Sequence, residues 1–199
     1  NVEYAECTSG TVMEMVGGGF HDPQTWKAQR QRYLKIDEPL FPCNNSSIIP
    51  PEVSGRCYYY LTPHLFEAAG GDIGRPTPQD VSAAFRFCGL LAETDRINRD
   101  ACYGGFGKEF VGLAQNRDIR RVEDMNDQQL KQIYEWCLLA GNRNGTAACV
   151  IHAMNSLYWG GENDRSVAIR FCSLIDDNFH QNSCFIGLMN AVKFYISDP

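Results

Sequence analysis

Apolar positions along this chain keep step with its cysteines. Counting from Cys57, Cys102, Cys149 and Cys184, the fourth residue on is Leu61, Phe106, Ala153 or Leu188, and the eighth is Leu65, Phe110, Leu157 or Val192. Cys7, followed by Thr11 and Met15, repeats the register. Positions i, i+4 and i+8 share one face of an α-helix, so each cysteine is predicted to lie on the buried stripe of an amphipathic helix. The segments leading into the other cysteines agree: Ala84, Phe85 and Cys88; Ile133, Tyr134 and Cys137; Ala168, Ile169 and Cys172. A glycine stands three residues after the cysteine at Gly10, Gly105 and Gly187, where the missing side chain would let a neighbouring backbone approach. His152 takes that place in the copy beginning at Cys149 and is expected to face a neighbouring helix.

Between these stripes lie the punctuation marks of helical hairpins. Gly17, Gly18 and Gly19 stop a first helix over residues 1–16, and a second is expected from Gln24 to Lys35, with Trp26, Tyr33 and Leu34 on one stripe, before Pro39 and Pro42 break it. Pro63 either kinks the helix after Cys57 or marks its true start. Thr77-Pro78, Asn126-Asp127 and Asn163-Asp164 are helix openings. Gly141 to Gly145 and Asp176 to Asn178 read as hairpin turns.

The cysteines themselves pair off along the chain, each pair closing a loop of a dozen or so residues. The repeat selects Cys43 with Cys57, Cys88 with Cys102, Cys137 with Cys149, and Cys172 with Cys184 as local disulfides, each tying a helical hairpin near its tip. Cys7 is left without a partner in this chain. The expectation is that the chain is part of a longer polypeptide, the other reading being a Cys7 that is free or joined to another subunit. Nine cysteines in 199 residues, so arranged, imply an oxidising compartment: secreted or periplasmic, with the mitochondrial intermembrane space as the alternative.

The predicted fold class is all-α, an array of antiparallel helical hairpins in a solenoid-like stack, with a compact irregular helical bundle as the alternative. Residues 1–199 are read as a single helical-repeat region, with a half unit at 1–19 and further units at 20–74, 75–121, 122–161 and 162–199. The Trp, Leu-Gly and Tyr pattern of the tetratricopeptide unit is absent.

Composition adds limits. An apolar content of 44% with 12% aromatics supports a packed core, and the net charge of -6 argues against a nucleic-acid surface, which needs clustered cations. The one cationic cluster, Arg117 to Arg121, is interrupted by Asp118 and reads as a solvated turn. No apolar run reaches the ~20 residues that span a bilayer, so no transmembrane segment is expected, while peripheral membrane association stays compatible.

Chemistry-bearing patterns are few. His21, His64, His152 and His180 lie in different units without HExxH spacing; His152 is expected to be structural and His180 solvated in a hairpin loop. No GxSxG, P-loop or dinucleotide fingerprint occurs, and the glycines of Gly104 to Gly107 fall inside a predicted helix. Asp95, Asn98 and Asp100, like Asp176, Asp177 and Asn178, lack the EF-hand spacing and read as solvated turns. No catalytic residue, metal site or cofactor is expected. Asn44, Asn45 and Asn144 match the N-glycosylation pattern and fall in predicted loops. Trp26, Tyr58, Tyr59, Tyr60 and Trp159 are the candidate interface residues.

Functionally, these features point to a scaffold or accessory subunit that binds protein partners through its surface. The alternative is an extracellular enzyme with a site assembled between repeats, for which Glu109 with His152 is the nearest candidate pair.

Overall fold

In the computed structural model the described residues are 2–17, 23–116, 119–160 and 164–197. They fold as an all-α structure, with no strand among them. The helices are α1 (Val2–Gly17), α2 (Pro23–Arg30), α3 (Ser54–Tyr60), α4 (Thr62–Ala68), α5 (Pro78–Gly89), α6 (Arg96–Ala114), α7 (Asp127–Leu138), α8 (Arg143–Gly160), α9 (Arg165–Ser173) and α10 (Asn178–Ser197). Tight 3-10 turns at Pro51–Val53 and Ile119–Asp124 join some of them.

Local chemistry starts several helices. Thr77 and Asp80 form a reciprocal capping box on α5: the Thr77 side chain accepts from the Asp80 amide at 3.2 Å, and the Asp80 carboxylate accepts from the Thr77 amide at 2.9 Å. Asn126 and Gln129 do the same for α7. Asp164 caps α9 by accepting from both the amide and the hydroxyl of Ser166. Asp95 turns onto Asn98 at the start of α6, and Asn98 in turn accepts from the Ser54 hydroxyl of α3 at 2.8 Å.

Contacts gather into two compact units, Asn1–Gly105 and Phe106–Pro199, with the boundary inside α6. In the first, α1 packs on α3 and α4, and α4 packs on α5. In the second, α8 packs against α7, α9 and α10.

Four disulfides tie adjacent segments: Cys43 to Cys57, Cys88 to Cys102, Cys137 to Cys149 and Cys172 to Cys184, with Cα–Cα separations of 5.4, 5.6, 5.6 and 5.5 Å. In the last three the geometry is the same. The first cysteine stands one residue before the end of its helix, and the second lies nearly two turns inside the next, which opens at Arg96, Arg143 or Asn178. The hairpin turns are therefore shorter than the cysteine spacing alone suggests. Gly145, expected in a turn, is already within α8, because the Asn142 side chain accepts from its amide and starts the helix earlier.

The stripe from Cys57 through Leu61 to Leu65 is buried, as are those from Cys102 to Phe110 and from Cys149 to Leu157. In α1 the register differs. Cys7 and Thr11 are exposed, while Thr8, Val12 and Val16 are buried, so the inward stripe lies one residue further on. Packing on α3 and α4 rotates α1 about its axis, because Val12 and Val16 bury more apolar surface there than Thr11 would.

Two other elements depart from expectation. The helix from Pro23 ends at Arg30, not Lys35; the chain turns, which lets Leu34 enter the core while Tyr33 stays exposed. The segment after Cys57 is split into α3 and α4 at Leu61. Pro63 has no amide hydrogen for the Tyr59 carbonyl, and Gly105 of α6 lies so close to that carbonyl that a β-carbon there would overlap it. The predicted close approach thus holds at Gly105. Gly187's nearest neighbours are the side chains of Met154 and Ile151, not backbone, and Gly10 meets nothing within 4 Å.

Candidate functional site

A surface depression lies between α9 and α10, in the second unit. Arg165 and Ile169, one turn apart, form its α9 wall; Phe185, Leu188, Met189, Val192 and Lys193 form the α10 wall. It encloses about 600 Å³ and its lining is almost wholly apolar. The antiparallel hairpin places Arg165, at the start of α9, and Lys193, near the end of α10, together at the end away from the Cys172–Cys184 bond. Neither has a carboxylate within ion-pair distance among the described residues. The neighbouring carboxylate, Asp164, accepts from Ser166 at 2.8 and 2.9 Å, and these bonds, together with its interaction with the Arg165 charge, hold its pKa below the usual carboxylate value.

Around the groove, α10 carries apolar residues beyond its buried stripe. Cys184, Leu188 and Ala191 are buried, yet Ile186 is 55% exposed and Met189 and Phe194 are each 63% exposed. Gly187, on the side of α10 facing α8, admits Met154 and Ile151 closely. Phe194 stands edge-on to Trp159 at the end of α8, with ring centres 6.5 Å apart, and Trp159 is itself exposed. A soluble helix normally confines its apolar residues to one stripe, so an outward half of this kind is a surface suited to being covered.

Trp159 therefore belongs to this apolar face. Trp26 is half-buried on α2 in the first unit. Tyr59 and Tyr60 are half-buried and pack edge-on, 5.1 Å between ring centres. Tyr58 is a correction: it is 3% exposed, a core side chain and not a contact residue, because it follows Cys57 on the inward side of α3. Burial, with the Asp95 charge second, pushes its hydroxyl pKa up to about 12.

Cys7 is free and exposed. Asn44 is exposed, and Asn45 is half-buried with its side-chain oxygen accepting from the Ser47 amide at 3.0 Å. Asn144 is exposed within the first turn of α8, and its sequon partner Thr146 is buried, donating to the Cys137 carbonyl at 3.2 Å. That bond reaches back to the carbonyl of a disulfide-bonded cysteine.

Two of the histidines, His64 and His180, are buried. His180, expected in solvent, is buried in the first turn of α10: its Nδ1 lies 3.1 Å from the Tyr134 hydroxyl and its Nε2 3.2 Å from the Arg143 carbonyl. A proton on Nε2 satisfies both, with Tyr134 donating to Nδ1. His64 is buried on α4, where Nε2 donates to the Lys35 carbonyl at 3.2 Å and Nδ1 has no hydrogen-bond partner among the described residues. Burial holds its pKa below the usual imidazole value. His152 is half-buried on α8, and Glu109 is buried on α6 with its carboxylate paired to Lys108. His21 and residues 117 and 118 of the cationic cluster lie outside the described residues.

Among the described residues, no group of three His, Cys, Asp or Glu side chains is gathered as a metal site, and no helix is long and apolar enough to cross a membrane. Sequence reasoning missed the α10 face. One buried stripe accounts for Cys184, Leu188 and Ala191, which leaves Phe185, Ile186, Met189 and Phe194 as a surplus with only Lys193 charged among them, and that surplus was the signal. No protein-family model, curated protein or solved structure matches the chain.

Proposed function

We propose that this chain is a disulfide-stapled helical module that binds a protein partner, working as a scaffold or accessory subunit in a larger assembly. The single observation that carries the reading is the outward apolar half of α10, with Met189 and Phe194 each 63% exposed beside an apolar groove. Leaving such a surface in water is unfavourable by about 25 cal/mol per Å² of apolar area, so covering it favours association. The four bridges indicate an oxidising environment, and within that range the reading places the protein in a secreted or periplasmic setting. Stacked hairpins, in which each unit shields part of its neighbour, are the arrangement we favour for such a protein.

The experiment is site-specific photocrosslinking in the native extract. A photoreactive residue at Met189 is expected to give one saturable product of discrete mass, and the same probe at the exposed Lys131 of α7 to give none. A Met189 probe that yields no discrete product, on a chain that remains a monodisperse monomer, would remove the reading.

A further inference from the structure

The groove between α9 and α10 carries more information than its apolarity. Its length from Phe185 to Lys193 is about 12 Å at 1.5 Å per residue, two turns of helix. Both walls present side chains at helical spacing, Arg165 and Ile169 on one side and Phe185, Met189 and Val192 on the other. Two exposed cations without ion-pair partners among the described residues stand together at one end, in a chain whose net charge is -6.

We propose that this groove receives an amphipathic α-helix of a partner protein whose acidic residues lie over Arg165 and Lys193. The proposal rests on the interaction role given above and names the chemistry of the occupant. Three observations select a helix. The groove is open, and Met189 in its lining is 63% exposed, so an acyl chain lying in it would stay partly in water, whereas ligand sites for small molecules bury most of their occupant. A helix supplies the missing third wall with its own i, i+3/i+4 and i+7 side chains. A bilayer surface is flat, does not fill a concave groove, and when anionic repels a chain of this net charge. The sign of the occupant follows from the two cations. An approaching carboxylate meets Lys193 and Arg165, neither in an ion pair among the described residues though Asp164 beside Arg165 offsets part of its charge, while an approaching ammonium is repelled.

The test uses the full chain and a labelled synthetic helix of about 15 residues, a length that can hold helical structure in water. One version carries leucines at helical spacing and glutamates in its first turn; the other replaces the glutamates by lysines. By fluorescence anisotropy the acidic version is expected to bind about tenfold more tightly, the size two exposed ion pairs give when set against two repulsions. Combining Arg165→Glu with Lys193→Glu should invert that preference, and Met189→Glu should abolish binding of both. All these positions are exposed, so circular dichroism and the melting temperature should match the parent. Equal binding of the two peptides, or a preference untouched by the double charge reversal, overturns the acidic occupant while the α10 face stays a binding surface. Binding of neither peptide also overturns the proposal, and the Met189 crosslinking then decides separately whether that face has any partner. Self-association that Met189→Glu disperses in sedimentation, or retention on phosphatidylserine vesicles without peptide binding, assigns the face to a second copy or a membrane and overturns it likewise.

Discussion

Gly107 of α6 lies against the carbonyl of Cys149 so closely that a β-carbon in its place would overlap that oxygen and crowd the amide of Ala153. The neighbour is backbone, not a side-chain tip, and Cys149 is held by its bond to Cys137. Neither can move aside cheaply.

Gly107→Ala is therefore expected to destabilise the protein, despite the gain of about 1 kcal/mol that alanine brings to a helix interior, because overpacking of a rigid contact costs about 1–3 kcal/mol and more where backbone must shift. Gly105→Ala should behave alike through the Tyr59 carbonyl. Gly10→Ala, with nothing within 4 Å, should be neutral or stabilise by up to about 1 kcal/mol. Denaturant midpoints at unchanged m-value read all three.

Thiol accessibility should separate Cys7 from the other cysteines. Cys57, Cys88, Cys102, Cys137, Cys149, Cys172 and Cys184 are fully buried and Cys43 nearly so, whereas Cys7 is free and exposed. Alkylation of the folded protein is expected to add one label, at Cys7, and peptide mapping to recover the four local bridges. Converting both Cys88 and Cys102 to alanine should cost roughly 3 kcal/mol by the chain-entropy estimate for so short a loop. A folded protein that takes up several labels would contradict the burial.

His64 gives a pH dependence with a definite sign. Burial lowers its folded pKa below 6.5, so the unfolded chain takes up the proton first as the pH falls. Its neutral form adds no penalty above that value; stability is lost as the pH drops from the unfolded pKa toward the folded one, and the loss is then constant. Protonation would also leave a donor at Nδ1 with no partner. Melting curves from pH 7.5 to about 5 should fall for the parent and flatten for His64→Gln. A slope identical in the two proteins would exclude this histidine as the source.

The start of α7 should be sensitive in a graded way. Asn126→Ala removes one half of a capping box and is expected to cost about 1 kcal/mol. Gln129→Ala should cost more, because its amide also donates to the Ala114 carbonyl at 2.7 Å and to the Gln115 side chain at 3.0 Å, tying α7 to the end of α6. The double variant should fall short of the sum, since the two side chains complete each other's bonds.

Much of the helical framework was legible because its causes are local. Thr77-Pro78, Asn126 and Asp164 start helices through atoms two or three residues away, and an i, i+4 cysteine stripe shows its inward side wherever the apolar residues lie on one side only. Phe106, Phe110, Ala153 and Leu157 are buried for that reason. The candidate site was not legible in the same way. The tyrosines after Cys57 drew attention as aromatics, but Tyr58 turned inward, while Met189 and Ile186, singled out by no pattern, face solvent.

By itself, then, the amino-acid order determined that the chain is helical, where most helices open, and which cysteines stand within reach of each other, since each of these depends on contacts a few residues apart. Only tertiary packing decided which side of α1 and α10 is covered. In α1, Thr8, Val12 and Val16 displaced the Cys7 stripe once α3 and α4 supplied a surface to fill. In α10, α8 and α9 cover fewer apolar residues than the helix carries. Burial is a property of the neighbours a residue acquires, and those neighbours come from distant parts of the chain.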